Sequence, residues 1–233
     1  IIVSPKTVDI SFSAFPTDGV GNILGDGGPD TLDGSDEKWL PNSMSIRIDP
    51  ADKTALSSTV TAPGRTAFYD FVIHEVGHGL GYGVLWNYSH QNIPTSVSDS
   101  WKFIVSKDDH SNFLAARGDY TTEAAYIADN PVYIGAHGLS AFKEVLLDSG
   151  WDPVVVNALN CFAIEDNGPD GTAGAHLEEN SNRVGLVGFG DEVTTGFIDD
   201  TIVNPLSKIT IGMMQDLGWD VDYSHAENYT IPV

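Results

Sequence analysis

The sequence predicts an α+β fold with two lobes in one domain, spanning residues 1–233. Three observations support this prediction. Short runs near the start alternate apolar and polar residues, as half-buried strands do. An apolar stretch without helix breakers begins at Thr66 and has helical periodicity. A helix with recognisable capping residues follows near the end of the chain. We expect a twisted N-terminal sheet with a helix over about 1–81, and an irregular C-terminal lobe with a terminal helix over about 82–233.

Two strands and a loop are predicted in the first fifty residues. Thr7 to Phe15 and Ser43 to Ile48 alternate apolar and polar residues, which predicts two half-buried strands. Gly21 to Gly34 is rich in glycine and aspartate and predicts a loop between them. It resembles one unit of a calcium-binding β-roll, but such units work only in stacked arrays.

The helix predicted from Thr66 carries the most informative residues of the chain. Phe68, Val72 and Val76 recur at i, i+4 and i+8, a stripe that we expect to pack into the core. Glycines at 79, 81 and 83 are expected to end the helix and let the chain turn sharply.

The second half of the chain contains fewer clear patterns. We predict a short extended piece at Asn130 to Ile134, a helix at Ser140 to Leu147 and a long loop at Ile164 to Ala175. The last helix should begin at Ser207 as its N-cap and end at Gly218. The apolar face of this helix is formed by Ile209, Met213 and Leu217.

Charge limits the classes of partner. The chain has 33 acidic and 11 basic residues, a net charge of −22. Such a surface repels nucleic acid and anionic membranes, so neither is an expected partner. The acidity favours solvation in salty water, and calcium binding by Asp-rich loops is a second possibility. The single cysteine, Cys161, excludes an internal disulfide, and we expect it to be a buried free thiol.

Residues 74–81 read HEVGHGLG and predict a metal site. His74 and His78 lie one helical turn apart, so both imidazoles can reach one metal ion. Glu75 stands beside them, where a carboxylate can take a proton from a metal-bound water. This is the signature of zinc metalloproteases, in which Zn²⁺ activates water for hydrolysis.

Catalytic zinc usually has three protein ligands, so a third must be found. The compact motif HExxHxxGxxH would place it at position 84, which is Val84. It must therefore come from a distant segment, and His176, at the end of the glycine-rich loop, is the favoured candidate. The other four histidines are expected to lie at the surface or to have structural roles: His90, His110, His137 and His225.

The motifs resemble those of the leishmanolysin-like branch of the metzincin zinc proteases. The matching segments are LGDGGPDTL, SMSIRIDPAD, HEVGHGLGYGVLW, NGPDGTAGAH, DEVTTGF and NPLSKITIGMMQDLGWDVDY. The resemblance touches most of the chain, but covers residues 87–130 poorly. It implies a metzincin-like two-lobed catalytic domain, secretion, and Zn²⁺ held by His74, His78 and His176. Glu75 would act as general base and then acid.

The resemblance also assigns roles around the metal. It implies that an edge strand near Ser43 to Ile48 pairs with an extended protein or peptide substrate. Thr194 to Phe197 would form a wall of the pocket for the residue after the scissile bond. One departure is Thr194, because the family has a methionine at this position in a turn below the metal. Met213 and Met214 lie on the following helix and do not align with that turn. We expect a monomer.

Two alternatives stay open at this point. The third ligand of a zinc peptidase could be a carboxylate from a later helix, and Glu123 suits that role. Otherwise the chain could be a non-catalytic surface or adhesion module that keeps a structural zinc. Glu75 argues against the second alternative, because a structural site needs no base.

Overall fold

The fold is a mixture of helices and small sheets, as the α+β prediction requires. It is described by a computed structural model covering residues 7–33, 40–87, 105–106, 132–166, 168, 172–180 and 187–231. No helix in these ranges is both long and apolar enough to cross a membrane.

A three-stranded sheet forms the N-terminal part. Its strands are β1 (Asp9–Ala14), β2 (Gly25–Asp33) and β3 (Leu40–Ile48). β3 lies in the centre, parallel to β1 and antiparallel to β2. Strands at 7–15 and 43–48 are confirmed, but only the second is half-buried as predicted. Every residue of β1 is exposed, so the prediction of burial is wrong for the first strand.

Two predictions about this sheet are wrong. Most of the expected loop at 21–34 is strand β2, because pairing with β3 overrides the weak strand propensity of glycine and aspartate. The segment Ser43 to Ile48 belongs to the central strand and not to an edge. Its backbone is paired with β1 on one side and β2 on the other.

The helix that carries the metal motif follows a short connecting region. This region contains α1 (Lys53–Ser58) and the hairpin strands β4 (Val60–Ala62) and β5 (Arg65–Thr66). Helix α2 (Ala67–Gly79) has Thr66 as its N-cap and confirms the predicted helix.

The buried face of α2 differs from the predicted stripe. Phe68 and Val72 are only partly buried against a small core cluster, and Val76 is also half-buried. The fully buried apolar positions are Ala67 and Phe71. The helix is therefore rotated relative to the expectation, which turns the histidine face inward.

The remaining elements build the C-terminal part. They are α3 (Val84–Asn87), β6 (Val105–Ser106), β7 (Val132–Tyr133), α4 (Ala136–Asp148), α5 (Pro153–Ala158), β8 (Phe162–Ala163), α6 (Lys208–Leu217) and a 3₁₀ turn (Tyr223–His225). Strands β6, β7 and β8 form an antiparallel sheet in that order. Helix α4 begins before the predicted residue 140, so His137 lies in its first turn and not before it.

Helix α6 agrees closely with its sequence pattern. The hydroxyl of Ser207 accepts the backbone N–H of Ile209 at 3.1 Å, and Gly218 ends the helix with a φ of 106°. Ile209, Met213 and Leu217 are fully buried in the main core cluster, which also contains Tyr82, Phe142 and Leu177. Cys161 is buried and forms no disulfide, as expected.

A partly buried arginine joins α2 to the C-terminal segments. The guanidinium of Arg65 donates to Asp70 at 2.5 Å, to the carbonyl of Asn204 at 2.8 Å and to Glu227. Asp70 is fully buried, so this carboxylate depends on Arg65 for its countercharge. The network keeps the start of α2 in register with the segment that precedes α6.

Candidate metal centre

Helix α2 places three polar side chains on its inner face. His74, Glu75 and His78 are all buried, although each is polar. The i, i+4 spacing puts the two imidazoles side by side, with their Nε2 atoms 3.0 Å apart.

His176 reaches the same point from a distant segment. The backbone around it is held on both sides, because Glu165 N–H donates to His176 O at 2.9 Å and Leu177 N–H donates to Thr194 O at 3.1 Å. Gly83 makes the close approach possible. A Cβ atom there would lie 2.1 Å from the carbonyl oxygen of Ala175, and its φ is +67°.

The three imidazoles converge through their Nε2 atoms. The Nε2 of His176 lies 2.9 Å from that of His78 and 3.2 Å from that of His74. Two nitrogen ligands of a tetrahedral zinc ion, bonded at about 2.0–2.1 Å, are about 3.3 Å apart. The triangle is therefore close to the size that such an ion requires.

Backbone carbonyls determine which ring nitrogen carries the proton. The Nδ1 atom of His74 lies 2.7 Å from the carbonyl oxygen of Val193. That of His78 lies 3.0 Å from the carbonyl oxygen of Tyr82, and that of His176 lies 2.7 Å from the carbonyl oxygen of Thr172. A carbonyl oxygen can only accept, so each neutral ring donates from Nδ1 and has its lone pair on Nε2. Three lone pairs that point at one another cannot form hydrogen bonds, but they can share a cation.

Burial keeps these rings neutral. Desolvation, with a smaller contribution from His78, lowers the pKa of His74 to about 3. Burial also lowers the pKa of His78. The pKa of His176 is lowered by burial and, to a smaller extent, by the neighbouring His78 and His74. Neutral imidazoles with free Nε2 atoms are the form that binds metal, so this group could hold a metal ion.

The carboxyl group of Glu75 is buried next to the histidines. Its Oε2 atom has no hydrogen-bond partner in the part of the chain that the structure describes. Burial, reinforced by the charge of Asp26, raises the pKa of Glu75 to about 8. Such a carboxyl group is poised to exchange a proton near neutral pH.

Strand β2 shapes the space around Glu75 through a glycine. A Cβ atom at Gly27 would lie 2.4 Å from the carbonyl oxygen of Glu75 and 2.9 Å from its Oε2, whereas one at Gly28 would meet no atom within 4 Å. Gly27→Ala is therefore expected to destabilise the protein by about 1–3 kcal/mol and to displace the carboxyl group. Urea unfolding and hydrolysis assays of both variants test this expectation.

Gly28→Ala provides the matched control on the same strand. We expect its free energy of unfolding to change by less than about 0.5 kcal/mol. If the two variants lose equal stability and equal activity, the contact of Gly27 with Glu75 has no special importance.

The shifted pKa values predict how the stability of the metal-free protein depends on pH. Below about pH 6.5 the three histidines become protonated in the unfolded chain but stay neutral in the folded protein, because burial lowers their pKa. The free energy of unfolding therefore falls as the pH falls. Glu75 acts in the opposite direction. The folded protein keeps a proton that the unfolded chain loses, so this group reduces stability as the pH rises from 4.5 to 8.

Glu75→Gln isolates the second effect. The variant should gain stability relative to the native protein as the pH rises through this range, by at most about 1.4 kcal/mol per pH unit. Urea unfolding at several pH values, with a chelator present, measures the difference. Parallel stability curves for the two proteins would show that Glu75 titrates normally.

The other predicted positions lie away from the three histidines or outside the described residues. His137 is exposed on α4, and the side chain of His225 is 80% exposed. His90, His110 and Glu123 lie outside the described residues. Thr194 is buried in the turn that also contains Val193, the hydrogen-bond partner of His74.

Sequence reasoning missed several residues around this centre. The three carbonyls that orient the imidazoles cannot be recognised from residue type, because every residue has one. No sequence pattern brings together Glu165, Asp166 and Glu178, whose carboxylate oxygens lie within 4.8 Å of one another. These carboxylates are hard ligands of the kind that Ca²⁺ prefers, and they lie outside the Asp-rich stretch at 21–34.

No protein-family model matches this chain, and no curated protein is significantly similar to it in sequence. The comparisons therefore assign neither a family nor an activity.

Proposed function

We propose that this protein is a zinc-dependent endopeptidase of the leishmanolysin-like metzincin type. One observation carries the proposal. Three buried imidazoles turn unprotonated Nε2 atoms toward one point, within 3.2 Å of one another, and a buried carboxyl group follows the first of them in sequence. Three histidines with an open fourth position are typical of catalytic zinc, whereas structural sites are usually closed by four protein ligands.

The metal ion and Glu75 would have different roles in peptide hydrolysis. A zinc ion bound there would lower the pKa of a water molecule toward about 7 and polarise a peptide carbonyl. Glu75 accepts the proton as water attacks the carbonyl carbon, and then delivers it to the leaving amine. The nearby positive charge would favour the ionised form of Glu75 and so oppose the raised pKa of the metal-free protein.

The sheet topology supports β2 as the strand that binds substrate. An extended peptide can pair only with an edge strand, and the central position of β3 excludes the segment Ser43 to Ile48. β2 has one edge that is unpaired among the described strands, and its Gly27 packs directly against Glu75. A peptide paired with β2 would therefore run close to the base.

A cavity beside the turn after Glu192 is a candidate pocket for a substrate side chain. Phe197 is half-exposed and lines a cavity of about 310 Å³ together with Glu179, Asp191 and Asp199. Carboxylates around an apolar ring would favour a basic or amphipathic side chain. Of the segment Thr194 to Phe197, to which the family resemblance assigns a pocket wall, Phe197 lines this cavity.

Two rivals make different predictions. A non-catalytic module would bind zinc without cleaving peptides, but it would not need a buried carboxyl group beside the imidazoles. A peptidase with Glu123 as its third ligand would not need His176, whose Nε2 already completes the triangle. We also propose that the protein is secreted and monomeric, and that it acts on protein or peptide substrates.

Hydrolysis of an unstructured protein tests the proposal. Casein incubated with the zinc-loaded protein in water enriched in ¹⁸O should give fragments with ¹⁸O in their new C-terminal carboxyl groups. A sample stripped of metal by a chelator is the control. Zinc-loaded protein that leaves casein and a varied peptide library intact would reject the endopeptidase and favour the binding module.

A further inference from the structure

A buried carboxylate supports the turn on which the histidines rest. Glu192 is fully buried, and its Oε2 accepts the N–H and the hydroxyl of Thr194, both at 2.7 Å. Its Oε1 accepts the N–H and hydroxyl of Ser207 at 3.1 and 2.7 Å, and the hydroxyl of Thr210 at 2.6 Å. These five donors are neutral groups that converge from the turn and from the start of α6.

The two threonine hydroxyls close this network. Each donates its proton to a different oxygen of Glu192, and the two hydroxyl oxygens lie 2.8 Å apart. Thr194 is 2% exposed and Thr210 is 3% exposed, so water cannot replace either hydroxyl without rearrangement. The turn is thereby fixed to α6 by side-chain bonds that depend on hydroxyl groups.

The same turn contacts His74 and the residue that follows His176. The carbonyl of Val193 accepts the Nδ1 proton of His74 at 2.7 Å. The carbonyl of Thr194 accepts the N–H of Leu177, the residue after His176, at 3.1 Å. A shift of residues 193–194 would therefore act on His74 directly and on His176 through Leu177, whereas His78 is held separately by the carbonyl of Tyr82.

We propose that Thr194, Glu192 and Thr210 form a polar support that positions His74 and His176 for metal binding. They are positioning residues, because they act through Val193 and Leu177 and touch no ligand atom. The inference rests on the proposed metal site. The leishmanolysin-like proteases have methionine at the position of Thr194. Thr194→Met should break the hydrogen-bond network of Glu192, because the methionine side chain has no hydroxyl.

Zinc affinity of two Thr194 variants tests the support. Thr194→Val keeps the shape of the side chain and removes the hydroxyl, whereas Thr194→Ser keeps the hydroxyl. Competition with a chromophoric chelator should show about 10–100-fold weaker zinc binding for Thr194→Val, the usual effect of losing an outer-shell partner. Thr194→Ser should stay within about threefold of the native protein, since it keeps the hydrogen bond to Glu192.

Tyr133→Phe is the matched control for a general loss of stability. It removes another buried hydroxyl that donates to a carboxylate, Asp216 at 2.9 Å. Tyr133 lies on β7, and Asp216 lies at the end of α6 opposite to Thr210 and makes no bond to Glu192. Thermal unfolding of the metal-free proteins should show similar losses for Tyr133→Phe and Thr194→Val. Only Thr194→Val should weaken zinc binding and change the visible absorption bands of the Co²⁺-substituted protein.

The outcomes separate this inference from the proposed function. Native zinc affinity and an unchanged Co²⁺ spectrum in Thr194→Val would overturn the inference and leave the metal site standing. A native protein that binds no zinc would overturn both. Weaker zinc binding in Thr194→Val with recovery in Thr194→Ser would support the role of the hydroxyl in positioning the ligands.

Discussion

Glu75→Gln should abolish most peptide hydrolysis while zinc remains bound. A general base of this kind contributes about 10²- to 10⁴-fold to a rate, and glutamine cannot accept the proton from water. Glutamine has nearly the same shape, and Glu75 supplies none of the three nitrogen atoms that converge. The loss should therefore appear in kcat, with little change in the zinc dissociation constant.

A surface carboxylate provides the control for this prediction. The side chain of Glu144 is 59% exposed on α4, and Glu144→Gln should retain native hydrolysis and native zinc binding. Hydrolysis by Glu75→Gln at the native rate would mean that another group takes the proton. Loss of zinc together with activity would make Glu75 a determinant of metal binding instead of a base.

His176→Ala is expected to have the second large effect, the loss of tight zinc binding. The side chain supplies one corner of the nitrogen triangle, and its removal leaves two ligands from a single helix. We expect zinc affinity to fall by more than about 100-fold, beyond the effect of losing an outer-shell partner. Hydrolysis should be lost at zinc concentrations that saturate the native protein.

Two further variants make the His176 result specific. His137→Ala removes an exposed imidazole on α4 and should change neither binding nor hydrolysis. Glu123→Ala should likewise retain zinc. Zinc binding that survives in His176→Ala and disappears in Glu123→Ala would make Glu123 the third ligand.

Local patterns in the sequence predicted the elements whose determinants are close together in the chain. Helix α6 is an example, because Ser207, Gly218 and the apolar positions between them lie within twelve residues. The same holds for the two histidines of α2, whose spacing along one helix determines that they are adjacent. The i, i+4 rule needs no knowledge of the rest of the fold.

Long-range contacts explain the predictions that failed. The stretch Gly25 to Asp33 has poor strand propensity and becomes a strand only because β3 pairs with it. The position of β3 in the centre of its sheet depends on two partners, one of which is far from it in sequence. Period-2 alternation identifies a strand but cannot say whether its edges are paired.

His176 could be predicted only in part, because its identity has a local signal in the sequence whereas its position depends on long-range contacts. The sequence singled out His176 by its place after a glycine-rich segment, but its approach to α2 depends on Gly83 and on the turn at Val193 and Thr194. The buried network of Glu192 has no sequence signature at all, since its members are common polar residues from two separate segments. Only the folded chain shows that the Thr194 hydroxyl donates to this buried carboxylate.

Titration of the metal-free protein with Zn²⁺, with binding and casein hydrolysis followed in the same samples, tests the central proposal most directly. We predict that hydrolysis rises in proportion to bound zinc and reaches its maximum at about one ion per chain, the number that one three-histidine site can hold. Full zinc occupancy without hydrolysis would contradict the proposal and identify the three-histidine group as a binding site without peptidase activity.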